Sequence, residues 1–417
     1  MKQIRHLYLI VLIASCCALQ SGVNWAQAED TLPLQNWREM KPLITGLVSM
    51  GFTYCLAHND NRCVNDNSFP DAYFMPNILH GVVINVTWAQ LQPTPDEFNL
   101  QPIDEALENI RQYNAKYPAN PLRAILRVES ASVAPDWVKE LDGGPVPVLY
   151  RTNNNPITIP LFWTDHYQWA WRRLQAQLAA RYDSHPLIAQ ISNTSCSHQT
   201  DEPYVNPIDS ASIIALYNAG YTNHKYVNCL LDSVHDYDAW RITRVDFTQN
   251  LFENLSVTTV KGEPHGEYGP LDILPTALVM KVFRRALRER AIISNHNLAY
   301  PPLVESSVAL YDAIQGIGKP IEFQTAAPGV PLPNGQSTGR LLNWDPAMQY
   351  GASLGATAIE VWPSFTFKGN PINDGWNPIQ CNADVPTSEC SGQPYEDLLK
   401  WNAELEADGY DASFQFQ

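Results

Sequence analysis

A (β/α)8 barrel, the α/β TIM-barrel arrangement with long βα loops pinned by disulfides, is the fold class that the sequence predicts. Three observations predict it. Eight short apolar runs alternate with segments of helical period over residues 43–362, and strands alternating with helices imply a parallel sheet that right-handed crossovers close into a barrel. The clearest run, His80-Gly-Val-Val-Ile-Asn-Val-Thr-Trp88, is almost unbroken and rich in β-branched residues, as a strand covered on both faces should be. The 417-residue length also suits one decorated barrel, since these run from roughly 200 to over 400 residues.

The first strand is expected at 43–50, before a loop holding Cys55, Cys63 and Pro70. After the second strand, Ile103, Ala106, Leu107 and Ile110 recur at helical spacing within 102–117. Strand three spans 122–128 and ends at Glu129; a Trp- and Arg-rich helix over 165–182 leads to His185-Pro186 and the short apolar run 187–191, strand four. A long polar excursion follows over 197–254, with helical pieces at 210–217 and 236–252. Strand five is read at 255–260, a basic helix at 278–290, strand six at 291–294, a helix at 303–314, strand seven at 318–325, a short helix at 348–354 and strand eight at 356–362. Residues 29–417 thus form one barrel domain with a C-terminal extension, a cysteine-bearing loop and a helix at 395–406.

The N-terminus reads as a targeting segment. Lys2, Arg5 and His6 precede an apolar stretch too short to span a bilayer, and Ala26-Gln27-Ala28 provides a small-x-small cleavage site, so residues 1–28 are expected to leave as a signal peptide. Ile13-Ala14-Ser15-Cys16 offers a competing lipobox that would anchor the protein through Cys16. Either way the chain is secreted or periplasmic, with no transmembrane segment once mature. Six cysteines remain, Cys55, Cys63, Cys196, Cys229, Cys381 and Cys390, and an even set in an exported chain implies disulfides. Cys55/Cys63 and Cys381/Cys390 each fall within one loop, which leaves Cys196 with Cys229. No Cys-x-x-Cys or His-x-His occurs, so no metal and no cofactor is expected. The formal net charge of −16 argues against a nucleic-acid partner.

Barrel chemistry sits at the C-terminal ends of the strands. There the sequence places Trp88 and Gln90 after strand two, Glu129 after three, Asn193, Glu202 and Tyr204 after four, Glu263, His265 and Glu267 after five, Asn295 and His296 after six, Glu322 and Gln324 on seven, and Glu360 and Trp362 on eight. Amides and carboxylates bond sugar hydroxyls, and indoles stack on pyranose faces. An oligo- or polysaccharide is therefore the expected partner. Two carboxyl groups roughly 5 to 5.5 Å apart suffice for retaining glycoside hydrolysis, one protonated and one ionised. Strand alternation turns Glu322 on seven, and Glu360 on eight, toward the barrel interior. Glu322 also reads as a structural carboxylate paired with Arg123 or Arg127, and Trp88 and Trp362 as filling for the barrel mouth.

The order Gly-Val-Val-Ile-Asn-Val-Thr-Trp88, Gln92-Pro93, Ile-Leu-Arg-Val128, Ala-Pro-Asp-Trp137, Asp-Glu-Pro203 and Pro-Ile-Glu322 resembles the barrel of clan A glycoside hydrolases, particularly the cellulase and β-galactosidase-like members. The resemblance covers about residues 43–365 and implies Glu202 as acid/base and Glu322 as nucleophile, with Glu360 in reserve. The motif reads Asp201-Glu202-Pro203 where the clan has Asn before Glu, so Asn193 is the amide expected to hold a sugar hydroxyl. The expected function is exported hydrolysis of a β-linked saccharide by the retaining route. The alternative is a catalytically inactive barrel that binds carbohydrate.

Overall fold

The structure is a computed structural model that describes residues 40–50, 78–149, 155–197, 202–205, 209–302, 305–326, 344–361 and 395–407. The expected signal peptide with Cys16, Asp201, Trp362 and the pairs Cys55/Cys63 and Cys381/Cys390 lie outside the described residues. In chain order the strands are β1 (Gly46–Ser49), β2 (Leu79–Thr87), β3 (Arg123–Glu129), β4 (Val146–Leu149), β5 (Pro156–Ile159), β6 (Ile188–Ser192), β7 (Arg244–Thr248), β8 (Phe252–Val260), β9 (Glu263–Asp272), β10 (Ala291–Leu298), β11 (Ile321–Thr325) and β12 (Ala356–Val361). Eight of them close into a barrel in the order β1-β12-β11-β10-β7-β6-β3-β2, every pair parallel. Helices Gln101–Lys116, Asp165–Tyr182, Ile273–Leu287, Glu305–Ile317 and Trp344–Ser353 fall between successive barrel strands. The sequence-predicted (β/α)8 barrel is the observed fold.

One strand is not where the sequence put it. The apolar run 255–260 belongs to β8, which pairs antiparallel with β9 as a separate hairpin, and its far half is exposed. The fifth barrel strand is β7, within a stretch read as helix. Its alternation explains the misreading: Val245 and Phe247 are fully buried in the main core, while Arg244, Asp246 and Thr248 take the alternate, inward positions. Charged residues facing a barrel interior make a buried strand look like a polar segment. Glu263, His265 and Glu267 therefore lie on an exposed hairpin arm.

Two cores follow from the closed sheet. The larger lies between strands and helices, with Ile84, Ile110, Trp171, Leu174, Phe247, Met280, Phe283 and Ile359 among its members; burying each such side chain stabilises by about 1.5–3 kcal/mol. A smaller cluster, Ile44, Val48, Val83, Ile125, Ala189 and Ala358, fills the barrel interior. The C-terminal helix Tyr395–Ala407 is tied to the barrel by Asn402, which accepts from the Leu47 amide (2.8 Å) and donates to Ile78 O (2.7 Å). That approach needs Gly46, whose φ is +100° and whose added Cβ would stand 2.7 Å from Asn402 Oδ1.

Cys196 and Cys229 form a disulfide, as the spacing of the cysteines implied. It joins the loop after β6 to helix Asn223–Asp232. Among the described residues no helix is long and apolar enough to cross a membrane.

Candidate active site

The loop after β6 is built outward from buried polar groups. Ser130 Oγ donates to Thr194 O (2.6 Å) and Thr194 Oγ1 to Val128 O (2.5 Å), which locks it to the end of β3. Asn193, fully buried, accepts on Oδ1 from the Ser195 amide (3.2 Å) and Tyr237 OH (3.0 Å) and donates to Ser233 Oγ (3.1 Å). Ser195 Oγ donates to Asp236 (3.0 Å), whose carboxyl burial pushes up to about 7 despite Arg172 beside it. Such a loop has to satisfy its own backbone and side-chain groups away from water. Asn193 does that work and offers no amide to a ligand, which corrects its expected role in substrate binding.

Beyond the disulfide the chain returns at Glu202. Tyr226 OH donates to Pro203 O (3.0 Å) and fixes the turn; Tyr204 is half-buried beside it. The Glu202 carboxylate accepts from Asn250 Nδ2 on Oε2 (2.5 Å) and meets His296 Nδ1 with Oε1 (3.1 Å). Asn250 lies two residues beyond β7 and His296 lies on β10 near its C-terminal end. Thus Glu202, ten residues past its own strand, is drawn back over the C-terminal ends of the next two. Its side chain keeps 22% exposure while His296 keeps 2%. Burial raises the Glu202 carboxyl, but the His296 charge and the bonds from His296 and Asn250 outweigh it and hold the group below its ordinary value. Burial works against the His296 cation too, and Glu202 reverses it, so the imidazole is raised.

Glu360 and Glu322 face the interior from adjacent strands at different depths. Glu360 pairs in register with Gln324, whereas Glu322 pairs with Ala358 and Ser294, two residues further from the mouth. Arg127 donates to both Glu360 oxygens, 2.9 and 2.7 Å, with both side chains almost wholly buried. This two-pronged, charge-assisted arrangement fixes a carboxylate in one orientation. Glu322 instead accepts from Gln190 Nε2 (2.6 Å). Burial, then the Asp246 and Glu360 charges, lift its carboxyl well above the usual carboxylate range, against the Gln190 bond. Arg127 therefore partners Glu360, not Glu322, and Glu322 is favoured as the neutral acid.

The remaining expected residues divide sharply. Gln324 is buried beside Glu360, and its Oε1 accepts no hydrogen bond among the described residues. Glu129 is buried at the end of β3, next to Thr87. Gln90 completes a helix cap: Thr87 N donates to its Oε1 (2.9 Å) and its own amide donates to Thr87 Oγ1 (3.1 Å). Trp88 is fully buried, with Nε1 donating to Gln92 Oε1 (3.0 Å) and rings of Trp171, Tyr167 and Trp137 at 5.0, 5.5 and 6.1 Å. The buried indole is therefore no sugar platform. Trp88 starts a helical turn, which swings its indole under the loop and into the aromatic core. Asn250 and the inward residues of β7 were not singled out beforehand, and Arg127 was named only as a structural partner for Glu322; the alternation in Arg244-Val-Asp-Phe-Thr248 was the signal that could have found the β7 residues.

The chain is thus a (β/α)8 barrel whose interior and C-terminal mouth carry carboxylates, amides and an imidazole. No protein-family model matches it, and no characterised protein matches it in sequence. Its structure is similar to a β-galactosidase from the psychrophilic Marinomonas ef1 (13% identity, 87% of this chain and 59% of that one, TM-score 0.48). It is similar also to endo-glycoceramidase II from Rhodococcus sp. in its lactosyl-enzyme form (14%, 86% and 78%, 0.47). A third similar structure is a GH5_18 protein from Bifidobacterium longum subsp. infantis (11%, 88% and 80%, 0.43). The chain spans less than two thirds of the β-galactosidase. Likenesses of this degree carry nothing about activity, and the barrel is established by its own strand pairing.

Proposed function

We propose that the protein is an exported glycoside hydrolase that cleaves a β-linked saccharide by the retaining route, with Glu202 as acid/base and Glu360 as nucleophile. The observation that carries this reading is the return of Glu202 to the C-terminal ends of β7 and β10, clamped by Asn250 and His296, with the Arg127–Glu360 pair close enough for its charges to act on Glu202 and His296. A retaining pair needs one carboxyl that accepts and releases a proton and one fixed to attack the anomeric carbon. Glu202 has a neighbouring imidazole in His296, whose proton affinity the carboxylate raises. Glu360 has the fixed orientation, whereas Glu322 lies deeper and favours the neutral form, which is a poor nucleophile. Gln324 beside Glu360, and Tyr204 and Glu129 around the mouth, would meet sugar hydroxyls. Export is supported by the Cys196–Cys229 disulfide, which persists in oxidising compartments; the mass of the mature N-terminus distinguishes cleavage after Ala28 from acylation at Cys16.

A panel of aryl β-glycosides and polysaccharides tests the reading. On any substrate turned over, Glu202→Gln should lose about 10²- to 10⁴-fold in kcat/KM, the range of general acid–base catalysis. A 2-fluoro glycoside should leave its mass on the peptide containing Glu360. Unchanged turnover in Glu202→Gln would reject its role, and a label on Glu322 would move the nucleophile there. The alternative, a barrel that binds carbohydrate without cleaving it, is favoured by one observation, the depressed proton affinity of Glu202. Glycan binding without turnover across the panel would establish it.

A further inference from the structure

Behind Glu202 lies a continuous hydrogen-bonded chain that the proposed catalytic pair does not use. His296 Nδ1 meets Glu202 Oε1 at 3.1 Å, and its Nε2 meets Thr248 Oγ1 at 2.9 Å. Thr248 Oγ1 lies 3.0 Å from Ser294 Oγ, and Ser294 donates to Asp246 Oδ1. Ser192 Oγ donates to the other Asp246 oxygen (3.3 Å). All four inner side chains, Asp246, Ser294, Thr248 and His296, are at most 5% exposed. They project from neighbouring strands β7 and β10, so the chain runs from the barrel interior to its mouth.

A hydroxyl has one proton to donate, and this fixes the direction of every bond once one end is set. With Asp246 ionised, Ser294 donates to it and Thr248 donates to Ser294. Thr248 then only accepts from His296, so Nε2 bears a proton. In that state one further proton must lie between Nδ1 and Glu202, since otherwise two lone pairs would face each other. With Asp246 protonated, all the bonds reverse: Asp246 donates to Ser294, Ser294 to Thr248, Thr248 to Nε2, and Nδ1–H donates to the Glu202 carboxylate. Between the states Ser294 and Thr248 each give up one proton and receive one, Asp246 gains one and the His296–Glu202 pair loses one, so both states hold the same protons and the same net charge.

We propose that Asp246 is a positioning residue that stores a proton for Glu202 and exchanges it through Ser294, Thr248 and His296. This deepens the proposed function and rests on it for its catalytic meaning, though not for its existence. The acid step needs a protonated Glu202 although its direct partners favour the carboxylate; the relay supplies that proton from within and leaves Asp246 ionised. Burial, the largest influence, raises the Asp246 carboxyl, with Glu360 adding to it and His296, Ser294 and Arg127 opposing, which suits a store. Glu322 also bears on Asp246, and Arg244 and Arg123 bear on Glu322; none of the three belongs to the chain.

Nitrogen-15 spectra of the histidine-labelled full chain test this without any substrate. His296, assigned through His296→Asn, should show ring-nitrogen shifts averaged between the two states, Nε2 protonated when Asp246 is ionised and unprotonated when Asp246 carries the proton. Thr248→Val replaces the hydroxyl by a methyl of similar size and should leave Nε2 at one limiting shift; Thr248→Ser should restore the average. A field effect of Asp246 acts without the hydroxyl, so an averaged Nε2 in Thr248→Val, or one spectrum common to all three proteins, overturns the relay. On an active substrate Thr248→Val should also lose about tenfold or more in kcat and change the pH profile, with Thr248→Ser restoring both. If no substrate is cleaved while the spectra behave as stated, the relay stands and the hydrolase reading falls.

Discussion

The barrel interior has two regions made by the same strands on opposite principles. One is the apolar cluster of Ile44, Val48, Val83, Ile125, Ala189 and Ala358. The other is a polar set in which Arg127 grips Glu360, Gln190 holds Glu322, and Asp246 is linked to His296 through two hydroxyls. On β3 the boundary falls between Ile125 and Arg127, consecutive inward positions of one strand. Apolar groups need only be covered, and their stabilisation follows area. Buried charges need named partners at fixed distances, and they contribute little or nothing net to stability compared with hydrocarbon of the same volume. A polar interior of this extent is therefore not explained by stability alone.

The comparison breaks most visibly at Arg127. Truncating it as Arg127→Met leaves Glu360 buried without its two charge-assisted bonds, which should cost about 3–5 kcal/mol in urea unfolding and abolish any hydrolase activity. One inward position away, Ile125→Val removes a single methylene from the apolar cluster. It should cost about 0.5–1.5 kcal/mol and leave activity intact. Equal losses at the two sites would show that the polar region is ordinary core.

That contrast also explains what could be read beforehand. Strands covered on both faces by apolar residues, such as β2 with Val82, Val83, Ile84 and Val86, announce themselves by composition. Strand β7 did not, because Arg244, Asp246 and Thr248 stand at its inward positions, and the more β-branched arm of the hairpin took its place in the reading. The site suffered in the same way. Glu202, Glu360 and His296 were legible as polar residues beyond or near strand ends, but Asn250 follows the misplaced strand and was lost with it. For Asn193, Gln90 and Trp88 the residue type was right for a sugar site and the folded context was decisive: one amide serves the loop, one a helix cap, and the indole the core. Residue type gives the chemistry available, and only packing says where it is spent.

The smallest expected effect lies at Glu322, where the polar region approaches the behaviour of the apolar one. Gln190 Oε1 and Glu322 Oε1 accept no hydrogen bond among the described residues, and a proton on Glu322 is a donor that such an acceptor can use. Glutamine reproduces that shape without charge: its carbonyl accepts from Gln190 Nε2 and its amide donates. Glu322→Gln should therefore change stability by under about 1 kcal/mol at acid pH. The difference should grow as pH rises. A carboxyl whose folded pKa stands above its ordinary value of 4.5 binds more protons folded than unfolded. Its contribution is fully present below 4.5 and is lost as pH climbs through the folded value. The wild type should thus lose stability on going from acid toward neutral and alkaline pH in a way the glutamine variant does not. Parallel stability curves for the two proteins would mean that Glu322 is ionised in the fold, and would return it to contention as the attacking carboxylate.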